Sequence, residues 1–184
     1  MKRIFVIGIA FFFFSINPRL TGANDDNSWS SPVNGLQARL SVERGKSLNG
    51  TPLVSTYLEL RNVADIGNVM ELPLNLDRIQ FEVVDERDRT LPQGPNVYDE
   101  VTVEVGMLRM PHDSYLRFNI SHHGAGIPKN QAALLDLGSS YVWMFTRGDR
   151  HSYYLRGQFS VEPSKEARWS GTIEIPKVKI PTAQ

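Results

Sequence analysis

The chain contains no cysteine in its 184 residues. Disulfide bonds, iron–sulfur clusters, cysteine nucleophiles and cysteine-ligated zinc are therefore excluded. Basic and acidic residues balance at 20 each, so a strongly basic nucleic-acid-binding protein is not expected. Hydrophobic residues make up 41% of the chain, which argues against intrinsic disorder and is ordinary for one globular domain.

Sequence signals for catalysis and for cofactors are also missing. No Gly-x-Ser-x-Gly nucleophile motif occurs, and the run from Gly124 to Lys129 continues with Asn130 instead of the Ser or Thr of a phosphate-binding loop. His122 and His123 are adjacent, so in an extended segment they point to opposite faces and are poorly placed to bind one metal. We expect no enzymatic activity, no cofactor and no metal site.

Only one long hydrophobic run is present, and it lies at the start of the chain. Lys2 and Arg3 precede about thirteen uncharged residues from Ile4 to Ile16, and small residues lead up to Ala23. This order of charge, apolar core and small residues is typical of a secretory signal peptide, here residues 1–23. The alternative, a membrane anchor, needs about twenty apolar residues. We therefore expect cleavage near Ala23 and a periplasmic or extracellular protein.

Removal of the signal peptide changes the charge balance. Lys2, Arg3 and Arg19 precede the expected cut and no acid does, so the mature chain has 17 basic and 20 acidic residues, a net charge of −3. This mild acidity argues further against a nucleic-acid partner. Residues 24–28 are predicted to form a flexible tail and residues 29–184 a single domain, in which no second long apolar run predicts a transmembrane segment.

The mature chain is dominated by alternating apolar and polar residues, the pattern of half-buried strands. Turn-forming residues separate the alternating stretches, as at Asn49-Gly50 and in the run from Asp85 to Asp88. Several short strands with such spacing predict an all-β protein, an antiparallel β-sandwich of immunoglobulin-like type. The alternating stretches cover residues 36–42, 54–60, 79–83, 101–105, 116–120, 153–161 and 173–180.

Two prolines and one ambiguous segment refine this prediction. Pro73 and Pro176 lie inside apolar stretches, so their strands are expected at sheet edges or bulges. Residues 130–137 combine good helix formers with a following Gly138, and a short helix and a strand are both open there. The next stretch, up to Phe145, is predicted as a strand.

Aromatic residues are concentrated in the last third of the chain. Tyr153 and Tyr154 are neighbours on a predicted strand, so one of them is expected to face outwards. Trp169 lies beside a turn, and Trp143 belongs to the same aromatic-rich region. An exposed ring could stack on a sugar or a peptide. We therefore assign Tyr153, Tyr154, Trp169 and Trp143 to a possible ligand surface.

Several short segments of the sequence resemble segments of known exported domains. The opening Trp29-Ser-Ser-Pro-Val-Asn-Gly-Leu-Gln-Ala-Arg-Leu40 and the closing Trp169-Ser-Gly-Thr-Ile-Glu-Ile-Pro176 resemble immunoglobulin-like β-sandwich proteins of planctomycete type, which are uncharacterised. The stretch from Tyr57 to Asn62, with its following strand ending in Val84-Asp85, is more loosely similar to the BsuPI-type proteinase inhibitor domain. These resemblances imply a sandwich fold and no catalytic residue.

Three functional hypotheses follow, with a hydrolase as a fourth and weaker one. The first is an exported, non-catalytic binding or structural module whose ligand, protein or carbohydrate, is not specified by the sequence. The second is a proteinase inhibitor that presents the exposed loop from Leu91 to Asp99, which Pro92 and Pro95 make stiff. The third is a carbohydrate-binding module that uses Tyr154 or Trp169.

Overall fold

Within the described residues, the alternating stretches become strands that pair antiparallel. A computed structural model describes residues 28–46, 52–74, 79–94, 106–121, 131–137, 142–146, 149–165 and 167–181. The predicted signal peptide and residues 24–27 of the tail lie outside these ranges. The strands in the described part are β1 (Leu36–Lys46), β2 (Pro52–Asn62), β3 (Met70–Leu74), β4 (Ile79–Asp85), β5 (Gly106–Met110), β6 (Tyr115–Asn119), β7 (Gln131–Asp136), β8 (Val142–Thr146), β9 (Tyr153–Val161) and β10 (Gly171–Ile180).

The strands form two three-stranded sheets and two smaller ones. One large sheet has the order β1-β2-β6 and the other the order β10-β9-β4, while β3 pairs with β5 and β7 with β8. Register follows the apolar pattern, since Leu40 lies opposite Leu58 and Ile173 opposite Phe159. The prediction of an all-β, antiparallel protein is confirmed. Since the described residues contain no helix, none of them forms a helix that could cross a membrane.

One hydrophobic cluster contains side chains from both large sheets. Leu36 and Leu58 enter it from the first sheet, and Leu155 and Ile173 enter it from the second. All four side chains are fully buried. This arrangement is consistent with a β-sandwich, in which the apolar faces of two sheets share one core. Trp143 and Phe145 of β8 extend the same cluster.

The two prolines lie where a missing N–H is tolerated. Pro73 is in β3, which has β5 as its one partner in the described residues and is therefore an edge strand among them. Pro176 is in β10, the edge strand of its sheet, and the register with β9 shifts between Ile175 and Val178. Both positions confirm the expected placement at edges and bulges.

The ambiguous segment is a strand, and the helix alternative for residues 130–137 is wrong. Gln131–Asp136 pairs antiparallel with β8, and its partners include Leu135 opposite Trp143. Leu135 and Leu137, two positions apart, are both buried. Pairing with a neighbouring strand and burial of this period-two face outweigh the helix propensity of Ala and Leu. The predicted strand at 101–105 lies outside the described residues.

Candidate functional site

An open groove lies at one end of the sheet formed by β10, β9 and β4. Asp85 and Tyr153 are partners at the end of the β4–β9 register, so the turn after β4 and the chain entering β9 emerge side by side. The groove between them has a volume of about 360 Å³, at the lower end of the range for small-ligand sites. Its walls are Asp85, Arg89, Thr90, Leu91, Pro92, His151 and Tyr153.

The first wall is a turn that the Asp85 carboxylate holds in shape. Its Oδ1 accepts hydrogen bonds from the backbone N–H groups of Arg87 at 2.8 Å and Arg89 at 3.0 Å. Its Oδ2 lies 2.7 Å from Nε and 2.6 Å from an Nη atom of Arg89. The chain then returns along β4, where the N–H of Leu91 donates to the carbonyl of Val83 at 2.8 Å. The turn predicted at residues 85–88 is thus confirmed.

The second wall is formed by His151 and Tyr153, and Asp149, which does not line the groove, is bonded to both. Asp149, His151 and Tyr153 lie at alternate positions of the segment that leads into β9, so they share one side. Asp149 Oδ1 accepts the His151 backbone N–H at 3.0 Å and lies 2.7 Å from His151 Nδ1. Asp149 Oδ2 accepts the Tyr153 hydroxyl. The Tyr153 ring packs against Phe145, with 5.0 Å between ring centroids.

These contacts fix the protonation states of the walls. Hydrogen bonds from Tyr153, then from the backbone and ring of His151, lower the pKa of Asp149 to about 2. Burial and the bond to Asp149 raise the pKa of Tyr153 to about 12. Burial alone would raise the pKa of Asp85, but the bonds from Arg89 and Arg87 outweigh it and lower that pKa to about 2. Both acids therefore stay ionised and Tyr153 stays a phenol near neutral pH.

His151 is the wall residue that titrates closest to neutral pH. The hydrogen bond from its ring to Asp149 and the negative charges of Asp149, Glu86 and Asp85 raise the pKa of His151. Its side chain is 57% exposed. The groove is consequently lined by one fixed acid, Asp85, one permanent guanidinium and one imidazole whose charge depends on pH, and the second fixed acid, Asp149, is bonded to that imidazole.

The four residues that the sequence assigned to a ligand surface are separated in the structure. Tyr153 lines the groove. Tyr154, on the opposite face of β9, is half-buried, and Lys177 Nζ lies 5.2 Å from its ring centroid. Trp169 and Trp143 are each 2% exposed and belong to the core, so the expectation of an exposed Trp169 is corrected. The Trp169 indole N–H donates to the Val33 carbonyl at 2.9 Å, which satisfies its polar atom inside the protein.

The predicted inhibitor loop is described only in its first half. Leu91 is half-buried against the core and is bonded to Val83 of β4. The N–H of Gly94 donates to the Val142 carbonyl of β8 at 2.7 Å. Residues 91–94 are thus attached to the sheets at two points, and residues 95–99 lie outside the described residues.

Sequence reasoning missed Arg89, Thr90 and His151 as site residues. Arg89 and Thr90 lie in a run of turn residues, where charged side chains are normally solvated and carry no signal. The Asp-x-His-x-Tyr spacing at 149–153 was the available clue, because alternate residues of an extended segment share a face. What the pattern could not supply is the opposite wall, which comes from β4, more than fifty residues earlier in the chain.

A second concentration of polar groups lies on the outer face of the β1-β2-β6 sheet. Arg39, Glu59 and Arg117 are in register across the three strands. Glu59 is 2% exposed, and its carboxylate lies 2.5 Å from Arg39 Nε and accepts the Ser41 hydroxyl at 2.6 Å. Burial alone would raise the pKa of Glu59, but the bonds from Ser41, Tyr115 and Arg39 outweigh it and lower that pKa.

The same face carries aromatic rings whose faces are covered. The Arg39 guanidinium lies over the Trp29 ring at 4.6 Å from its centroid, and that of Arg117 lies over Tyr57 at 3.7 Å. Trp29 also meets the ring of Tyr115 edge-on, at 6.1 Å. The charged groups on this face pair with one another and with the aromatic rings, as in a network that stabilises a sheet. The groove beside Tyr153 is therefore the better candidate site.

No group of three or more histidine or acidic side chains among the described residues is arranged to hold a metal ion. His122 and His123 lie outside those residues, and His112 lies in the turn after β5, with Nδ1 2.5 Å from the Ala64 carbonyl oxygen. Comparisons of the chain with protein-family models, with curated proteins and with solved structures give no match.

Proposed function

We propose that this protein is an exported, non-catalytic binding module of immunoglobulin-like type, and that its ligand is bound in the groove beside Tyr153. The observation that carries this proposal is that charged side chains on both walls are fixed by neighbours before any ligand arrives. Asp85 holds Arg89 on one wall, and Asp149 holds His151 and Tyr153 on the other. Preordered side chains bind at a lower entropic cost than mobile ones.

Binding fits these walls better than proton transfer does. General acid–base catalysis needs groups whose pKa values lie near the working pH. The pKa values of about 2 for Asp149 and about 12 for Tyr153 lie far from that range. His151 is the one wall residue that titrates near neutral pH, and neither Asp149 nor Tyr153 can act beside it as a second acid or base in that range.

Binding can be tested with a substitution that fills the groove. The Thr90 side chain is exposed in the groove wall, so Thr90→Trp adds bulk there without entering the core. Thr172→Trp is the matched control, because Thr172 is also exposed but pairs with Ser160 at the far end of β9 from Tyr153. Protein collected after export of the full chain is applied to arrays of glycans and peptides.

We expect the wild-type protein and Thr172→Trp to retain the same array ligand, and Thr90→Trp to lose it. Unchanged retention by Thr90→Trp, or no retained ligand at all, would overturn the proposal. Export has its own readout, the N-terminal sequence of protein made from the full chain. A start near Asn24 in the exported fraction supports export, whereas an uncleaved protein inside the cell contradicts it.

A further inference from the structure

We infer that the groove binds an oxyanionic group, a carboxylate, sulfate or phosphate, through the free N–H groups of Arg89 and His151. This inference rests on the proposed binding function and names the chemical class of its ligand. It follows from counting which hydrogen-bonding groups of the walls are already occupied. The carboxylate acceptors are engaged within the protein, whereas several N–H donors of the cations are not.

The carboxylate oxygens of Asp85, which lines the groove, and of Asp149, which is bonded to His151, are engaged within the protein. Asp85 Oδ1 accepts two backbone N–H groups, and Oδ2 is bonded to the guanidinium of Arg89. Asp149 Oδ1 is bonded to the backbone and ring of His151, and Oδ2 accepts the Tyr153 hydroxyl. The Tyr153 proton is thereby committed as well.

The donors of the two cations are only partly used. A guanidinium has five N–H groups, and within the described residues Asp85 engages two nitrogen atoms of Arg89, Nε and one Nη. The Nδ1 of His151 faces Asp149, so its Nε2 is left for a ligand when the ring is protonated. Among the charged side chains that line the groove, the unused hydrogen-bonding groups are therefore donors.

In each acid–cation pair, the cation is also the more exposed side chain. The Arg89 side chain is 65% exposed while that of Asp85 is 7% exposed. His151 is 57% exposed and Asp149 is 23% exposed. In each pair the acid lies behind and the cation faces the solvent. A ligand entering the groove meets the cations first, and an oxyanion is the group that can accept several charge-assisted hydrogen bonds from them.

The charge of His151 makes this binding dependent on pH. The groups that act on the imidazole are Asp149 on its own segment and Asp85 and Glu86 on the β4 turn, and Arg89 lines the opposite wall. Since Asp149 and its neighbours raise the pKa of His151, the ring keeps its charge to a higher pH than usual. Affinity for an oxyanion should be highest below that pKa and should fall as the pH rises through it.

The test uses four sugar probes and isothermal titration calorimetry on the intact exported protein. Trigalacturonate carries carboxylates, and its methyl ester is the neutral counterpart of the same shape. Galactose 6-sulfate and galactose 6-phosphate test whether the oxyanion is a sulfate or a phosphate. Titrations are made at about pH 5.5 and about pH 8.5, on either side of the usual histidine range.

We expect at least one acidic probe to bind at least roughly tenfold more tightly than the ester, the effect of one or two charge-assisted hydrogen bonds. Arg89→Gln should abolish this preference, and Arg89→Lys should restore part of it. His151→Gln should retain binding at about pH 8.5 and lose the gain at about pH 5.5. Arg156→Gln is the control, because its guanidinium pairs with Glu82 on β9 and β4 away from the groove.

The outcomes separate this inference from the proposed function. If the methyl ester binds as tightly as trigalacturonate and Thr90→Trp abolishes both, the groove is a binding site but the inference of an oxyanion is wrong. If acidic probes bind equally to wild type and Arg89→Gln, the inference is again overturned. If Thr90→Trp leaves all binding unchanged, or no array ligand and no probe binds, both proposals fail.

Discussion

Arg39 and Glu59 face each other in register across β1 and β2, with 2.5 Å between the guanidinium Nε and the carboxylate. The carboxylate is buried on the side of the sheet opposite the core, whereas the guanidinium side chain is 27% exposed. A buried carboxylate is stable only while its partners remain. The pair therefore links the two longest strands of the sheet and makes it sensitive to the loss of either charge.

Glu59→Ala should lower the free energy of unfolding by about 3 kcal/mol, because it removes the acceptor of Arg39 and Ser41. Urea unfolding monitored by circular dichroism measures this change. Glu82→Ala is the matched control, since Glu82 pairs with Arg156 on an exposed strand face and should cost under about 1 kcal/mol. Equal losses in the two variants would contradict the role given to Glu59.

Trp169→Ala should cost about 3 to 5 kcal/mol, since it removes a buried ring stacked on Phe159 and one hydrogen bond to the Val33 carbonyl. Chemical denaturation gives the difference. Met107→Ala, at an exposed position, should change stability by less than about 0.5 kcal/mol. A tolerated Trp169→Ala that lost ligand binding instead would return Trp169 to the ligand surface.

Gly35→Ala should destabilise the protein more than Gly67→Ala does. Both glycines have positive φ, +81° and +92°, so alanine is strained by about 1 to 2 kcal/mol at either position. At Gly35 a Cβ would also lie 2.5 Å from the Ala64 Cβ, whereas nothing lies within 4 Å at Gly67. That clash should add about 1 to 3 kcal/mol. Thermal melts of the two variants side by side test the difference.

Acid should weaken the fold through Asp85. Its pKa of about 2 in the folded protein lies below the value of about 3.9 in an unfolded chain. The carboxylate therefore contributes stability above about pH 4, and this contribution is lost as the pH falls towards 2. Asp85→Asn should reduce the loss of stability between about pH 5 and pH 2, measured by urea unfolding. The control is Asp65→Asn, at an exposed turn position, whose stability should change with pH as that of the wild type does. A wild-type-like profile for Asp85→Asn would contradict the prediction.

The local pattern of the sequence determined the strands and several turns. Alternation predicts which side chains of β1, β2, β4 and β9 face the core, because successive residues of a strand face opposite sides. The burial of Glu59 on the outer face was not predictable in this way, since it depends on Arg39 and Ser41. The Asp85 turn and the prolines at sheet edges were also predictable, since they depend on backbone geometry within a few residues. Residues 131–136 were ambiguous because their conformation depends on pairing with another strand, β8.

Tertiary structure alone decided which polar and aromatic side chains come together. Trp169 lies near a turn in the sequence, yet its ring is buried because Phe159 and the Val33 carbonyl are brought to it by β9 and the opening segment. Arg89 and His151 are 62 positions apart, and they face one groove only because Asp85 pairs with Tyr153. Strand register, which depends on the whole sheet, therefore created the candidate site from two segments that are far apart in the sequence.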